Sequence, residues 1–212
     1  MGSALAKQLR SPSEGNCLGW MAQKIMAMGN GSDSIDAVSL IKTTMTIADK
    51  PVIVELGPGA GYALRELFSS LGPSKAYAIE ISNAFRKGLA ADKEFASLID
   101  SGVLSLHGDD ARNLSFIPDN SVDLIFGFNV IYFLDPLDDY LKEMNRILKP
   151  GGQINFGVKP MAKTLEKTVY INTDWDVCLD RMRSVGFVDV KQGEMRLEES
   201  LAYIPLTGTK PQ

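Results

Sequence analysis

The sequence predicts an α/β protein in which a mostly parallel sheet is layered with helices, preceded by a helical N-terminal segment. Three observations predict it. From Val52 onward, short apolar runs rich in β-branched residues alternate with longer stretches at helical spacing, the signature of repeated β-α-β units. The first run, Val52-Ile53-Val54-Glu55-Leu56, breaks into Gly57-Pro58-Gly59-Ala60-Gly61, a turn bare enough for sharp bends and close approach. The next two runs lead into acids, Glu80 and Asp109, so a glycine turn and two carboxylates follow three successive strands.

The elements follow in order. Two helical patterns, at 18–28 and 33–45, are separated by Gly29-Asn30-Gly31 and contribute no strand; they are expected to form a cap or lid over 1–50, with 51–212 as one globular unit. The apolar stripe Trp20, Met21, Ile25, Met26 and Met28 reads as core rather than ligand contact. The first strand is 51–56. A helix over 62–70 stops before Gly72-Pro73, and the second strand is 76–81. Ser82 is a candidate cap for a helix through Phe85 and Leu89. Val103 to Leu106 is the third strand, running into His107-Gly108-Asp109.

After the turn at Pro118-Asp119-Asn120-Ser121, the stretch 122–129 is the most apolar of all and belongs mid-sheet, buried on both faces. From Pro136 to Leu148, Leu137, Leu141, Met144 and Ile147 form one helical stripe, ended by Lys149-Pro150-Gly151-Gly152; a strand returns over 153–158. A helix near 175–184 and strands at 187–191 and 202–206, the last two antiparallel, close the chain.

Composition narrows the partners. A chain of 212 residues fits one sizeable core, and 45% hydrophobic with 23% charged residues is ordinary for a globular protein. A net charge of −4 speaks against nucleic acid or an anionic membrane surface as the partner. No run approaches the roughly 18 apolar residues of a membrane span, and no integral membrane association is expected. Cys17 and Cys178 have neither metal-ligand spacing nor a partner histidine, so no metal is expected; both read as thiols of a reducing, cytoplasmic compartment. Gly2 lacks the Ser or Thr that a myristoylation signal wants, since Ala6 stands there.

The spacing of the glycines bears on which nucleotide they suit. A dinucleotide fingerprint needs its third glycine at position 62, where this chain has Tyr62; the third glycine is Gly61 instead. A pyrophosphate site is therefore disfavoured. Glu80 is placed to accept hydrogen bonds from the two hydroxyls of a ribose, and Asp109 to accept from the exocyclic amine of adenine.

These motifs carry a resemblance. VELGPGAG, AIEIS, GDDARNLSFIPDNSVDLIFGFNVIYFL and LKEMNRILKPGG, in this order over about 52–158, resemble the class I S-adenosylmethionine-dependent methyltransferases, in particular the small-molecule branch that includes ubiquinone-type enzymes. The resemblance implies a Rossmann-like, seven-stranded sheet of order 3-2-1-4-5-7-6 with its last strand antiparallel. It implies S-adenosyl-L-methionine as cofactor, S-adenosyl-L-homocysteine as its product, and a small-molecule substrate methylated by in-line displacement. Gly57, Gly59 and Gly61 would face the methionine portion, with Glu55 holding its amino group or ordering the loop. Glu80 would take the ribose and Ile81 would pack on the adenine, whose edge Asp109 with Asp110 or Ala111 would meet. Phe128 and Asn129 would border the sulfonium and the acceptor. The Asn-Pro-Pro-Tyr motif of many amino-group methyltransferases is absent, since the chain reads Phe128-Asn129-Val130-Ile131; nucleic-acid and protein amide substrates are disfavoured.

Asn129 and Tyr132 are the candidate catalytic residues, as the polar groups nearest the acceptor; the sole histidine, His107, reads as structural. Two other functions fit the same pattern less well: an NAD-dependent oxidoreductase, opposed by Tyr62, and a non-catalytic S-adenosylmethionine-binding module.

Overall fold

The computed structural model describes the backbone of residues 17–164, 170–198 and 201–212, with side chains for 31–164, 170–197 and 202–212. The expected stripe from Trp20 to Met28 and the Cys17 thiol lie outside the described side chains, whereas Cys178 is a buried free thiol.

The sheet runs β3-β2-β1-β4-β5-β8-β6, from β1 (Val52–Leu56), β2 (Lys75–Ile79), β3 (Leu104–His107), β4 (Val122–Phe128), β5 (Leu148–Val158), β6 (Val188–Gln192) and β8 (Leu201–Thr209). This is the expected order, since a short additional strand, β7 (Arg196–Glu198), only pairs with β8. The first five strands are parallel and β8 is antiparallel to β5. Strand β4 sits between β1 and β5, with Leu124, Ile125 and Phe126 fully buried, as its unbroken apolar run requires.

Among the described residues, six α-helices flank the sheet: α1 (Cys17–Thr44), α2 (Tyr62–Leu71), α3 (Asn83–Ala91), α4 (Lys93–Asp100), α5 (Leu137–Ile147) and α6 (Trp175–Ser184). On one face, Ile53, Ala76, Leu124 and Phe126 pack under α1 to α4; on the other, Val54, Ile125, Ile154 and Phe156 pack under α5 and α6.

Four expectations are corrected. The two N-terminal helical patterns are a single helix of 28 residues that runs straight through Gly29-Asn30-Gly31. Tertiary burial outweighs the roughly 1 kcal/mol that each helical glycine costs: Ala37, Val38 and Ile41 are in the core and Gly31 stands over the Tyr62 ring. Helix α4, between the second and third strands, was not expected; Asp92 caps it by accepting from the Glu94 and Phe95 N–H groups, and Phe95 is fully buried. Strand β5 begins at Leu148, so Lys149-Pro150-Gly151-Gly152 is an irregular strand start, with the β4 register jumping between Val122 and Leu124. Finally, β2 ends at Ile79, leaving Glu80 and Ile81 beyond the strand.

Helix α1 is tied to the far side of the fold by two acids. Asp33, 1% exposed, accepts from the Ala202 N–H at 3.0 Å and pairs with Lys159 Nζ at 2.6 Å. Asp36 accepts from the Tyr203 hydroxyl at 2.6 Å and pairs with Arg196 at 3.2 Å.

Candidate functional site

The carboxyl ends of β1, β2 and β4 surround a cavity of about 200 Å³, at the point where the strand order departs to either side of β1. Its floor is the turn after β1. Gly57, Gly59 and Gly61 all have left-handed backbone, with φ of 64°, 55° and 84°. A Cβ on Gly57 or Gly59 would meet nothing closer than 3.5 Å, so what these two glycines keep open is the cavity itself. Gly61 differs and does not line the cavity: a Cβ there would stand 2.7 Å from both Leu89 and Phe95. Expected to face the ligand, it instead lets α2 seat against α3 and α4.

Two carboxylates lie beneath this turn. Strand parity puts Glu55 on the sheet face shared with Ile53 and Phe126, and Ala78 beside it carries the same parity on to Glu80. Glu80, 5% exposed, accepts from the Gly59 N–H at 3.0 Å and the Ser82 N–H at 2.8 Å, so it braces the glycine turn against the start of α3. Burial raises its carboxyl above the ordinary range, and the two N–H donors pull it back. Glu55 is 3% exposed, and burial together with the Glu80 charge pushes its carboxyl up to about 8. Its Oε2 is buried with no hydrogen-bond partner. An oxygen left unpaired in a cavity calls for a partner, and a carboxyl kept protonated by burial and by its Glu80 neighbour would ionise against a cationic donor.

The loop after β3 forms the next wall. Asp109, Asp110 and Ala111 line the cavity, as does Ile81, which is half exposed. The loop is anchored from behind: Leu114 and Ile117 are fully buried, the Leu114 N–H donates to Glu143 at 2.6 Å, and Arg146 donates to the Leu114 and Ile117 carbonyls. Asp110 is held by Arg112, whose guanidinium keeps the carboxyl below its usual value. His107 lies outside the cavity, stacked on Phe116 at 3.9 Å between ring centres, and burial lowers its imidazole against the pull of Asp109.

At the end of β4, Phe128 and Asn129 line the cavity, and Asn129 holds a left-handed φ of 57°. Tyr132 does not line it and is corrected here from catalytic candidate to support. Its ring is buried among Phe133, Tyr170 and Trp175; its hydroxyl donates to Asn129 Oδ1 at 2.9 Å and accepts from the Lys159 N–H at 2.6 Å. Both hydrogen-bonding capacities are taken, and burial pushes the phenol far above its usual range.

The sequence reading missed several lining residues: Ser34 on α1, Tyr62 and Ala63 at the start of α2, Phe85, Val130, Phe133, Leu134 and Tyr140. Gly31 against the Tyr62 ring brings α1 to the cavity mouth, a contact across distant segments that no local spacing signals. Phe133 and Leu134 sat within the quoted motif NVIYFL and were passed over for their polar neighbours.

Comparison with known proteins agrees with this geometry. Residues 54–156 match the methyltransferase domain family. A malonyl-[acyl-carrier protein] O-methyltransferase of Marinomonas sp. (strain MWYL1) is 35% identical over 106 residues, covering 50% of this chain and 37% of that protein, so the chain spans well under half the length of that curated relative. Among solved structures, the methyltransferase complexed with the Trm112 activator of Haloferax volcanii shares the fold with a TM-score of 0.71 at 19% identity, covering 92% of this chain and 97% of that one. Phosphoethanolamine N-methyltransferase 2 of Haemonchus contortus, solved with S-adenosyl-L-methionine, superposes with a TM-score of 0.70 at 12% identity, over 91% of this chain and 57% of its own. With the strand order, the glycine turn and the two strand-end acids in place, residues 54–156 form a methyltransferase domain of the class I, S-adenosylmethionine-dependent type.

Proposed function

We propose that this protein is an S-adenosylmethionine-dependent methyltransferase that transfers the methyl group to a small molecule. The observation that carries the reading is the buried, unpartnered Glu55 oxygen beneath an open glycine cradle: among the described residues that line the cavity none is a cationic donor, and the α-ammonium group of S-adenosylmethionine is one. Glu80 would give up part of its hold on the Gly59 and Ser82 N–H groups to accept from the ribose hydroxyls, Ile81 would pack on the adenine, and Asp109 to Ala111 would meet its edge. The bound cofactor supplies an electrophilic sulfonium methyl, open to in-line displacement. The protein's share is then alignment and exclusion of water, which orientation alone makes worth several kcal/mol.

The remaining wall suits a compact, largely apolar acceptor. Phe128, Val130, Phe133 and Leu134 surround Asn129, and Tyr132 fixes that amide by a hydrogen bond rather than moving a proton. Helix α1 closes the same side through Ser34, acting as a cap anchored by Asp33 and Asp36.

The test is incubation with methyl-labelled S-adenosylmethionine and a cell extract resolved into small-molecule, protein and RNA fractions. Label in the small-molecule fraction is expected. Label confined to protein or RNA contradicts the proposed acceptor class.

A further inference from the structure

The charge of the cavity wall narrows the acceptor, an inference that rests on the methyltransferase reading. Four acids line the cavity, Glu55, Glu80, Asp109 and Asp110, and among the described residues that line it none is Lys, Arg or His. The wall left over for the acceptor, Ser34, Tyr62, Phe128, Asn129, Val130 and Phe133, carries no formal charge. Lys159, which follows β5 beside Tyr132, is bound to the buried Asp33 at 2.6 Å, so the pair adds no net positive charge to this end.

Two consequences follow from chemistry. An anionic acceptor group, such as a carboxylate or phosphate, would be desolvated near Glu80 and Asp109 with no side-chain cation to meet it, only the sulfonium that is consumed in the reaction, which is costly. An alcohol, phenol or carbon acid would have to lose a proton as it reacts, and with the four acids taken up by the cofactor the uncharged wall left over holds no base: the Tyr132 hydroxyl is committed on both sides and His107 lies outside. A neutral amine needs neither. Its lone pair is already the nucleophile, and the cation it becomes is favoured by aromatic faces such as those of Tyr62, Phe128 and Phe133 and by the surrounding carboxylates.

We infer that the acceptor is an amine nitrogen, methylated as its uncharged free base. The nitrogen lone pair forms the new N–CH3 bond while the S–CH3 bond breaks with its electron pair staying on sulfur. Positive charge passes from sulfur to nitrogen, the leaving group is a neutral thioether, and any N–H proton still carried by the product goes to solvent after release. The Marinomonas relative is named for O-methylation of a malonyl group, which bears a carboxylate; the wall described here offers no side-chain cation to a carboxylate.

The experiment locates the label. Labelled products formed from a metabolite extract are fragmented in a mass spectrometer, transfer is measured from pH 6 to pH 10, and cofactor binding is measured separately by calorimetry. Label on nitrogen is expected, with transfer rising tenfold per pH unit below the pKa of the acceptor amine. Label on a carboxyl, phosphate or hydroxyl oxygen, or on carbon, overturns the inference and leaves the methyltransferase reading standing. Bound cofactor with no labelled product in any extract sinks the methyltransferase reading, and this inference with it.

Discussion

At the scale of single residues, the site is organised by two carboxyl groups in opposite circumstances. Glu80 is satisfied by two backbone N–H groups, whereas Glu55 keeps an unpaired oxygen and a carboxyl raised to about 8. The folded protein therefore holds a proton on Glu55 that the unfolded chain, with a carboxyl near 4.5, has released. Stability of the ligand-free protein should fall as pH rises from about 4.5 to about 8 and level off above. Glu55→Gln should remove most of that slope and stabilise the protein by a few kcal/mol at pH 8.5, read by urea unfolding at a series of pH values. An unchanged slope would mean that Glu55 is ionised in the fold. Tyr132 makes the converse case. Tyr132→Phe removes the hydroxyl that accepts from the Lys159 N–H and donates to Asn129, which should cost about 1–2 kcal/mol and lower kcat while leaving the shape of the pH-rate profile alone. Loss of an ionisation from that profile would restore Tyr132 as an acid or base. Position made the acids legible in the sequence, because Glu55 closes the first apolar run and Glu80 follows the second strand. The Tyr132 role was not, because a hydroxyl near an acceptor reads the same whether it reacts or holds a neighbour.

At the scale of elements, the glycine turn divides its labour between ligand and packing. Gly59→Ala puts a methyl into open cradle and should weaken S-adenosylmethionine binding more than it lowers stability. Gly61→Ala drives a methyl into Leu89 and Phe95 and should cost about 2–4 kcal/mol of stability, from overpacking and left-handed strain together. Comparable losses of affinity and stability in both variants would erase the distinction. The sequence shows three glycines two apart, and only the third dimension shows that the last one faces α3 and α4. Helix α1 tells a similar story: Gly29-Asn30-Gly31 is a local stop signal, overridden by the burial of Ala37, Val38 and Ile41. Removing its anchor with Asp33→Ala takes the carboxylate away from Lys159 and from the Ala202 N–H. The expected cost is about 3–5 kcal/mol, with faster amide exchange over 31–44; exchange as slow as in the parent would show that packing alone holds the helix.

At the scale of the whole molecule, strand order is what gathers the site. Glycine turn, Glu80, Asp109 and Asn129 are spread over some seventy residues, yet the order β3-β2-β1-β4 sets their strands side by side with all their carboxyl ends at one edge. That much was legible from the alternation of strand and helix patterns, because parallel crossovers allow few arrangements. The contribution of α1 was not, since Ser34 reaches the cavity by a contact between distant segments. Binding of S-adenosylmethionine at this edge is read by titration calorimetry, with S-adenosyl-L-methionine, S-adenosyl-L-homocysteine and NADH against the parent protein and Glu80→Ala. Saturable one-to-one binding of the first two ligands is expected, with none of NADH and an affinity at least tenfold weaker in a Glu80→Ala protein that still folds. Binding of NADH alone, or undiminished affinity in Glu80→Ala, would contradict it.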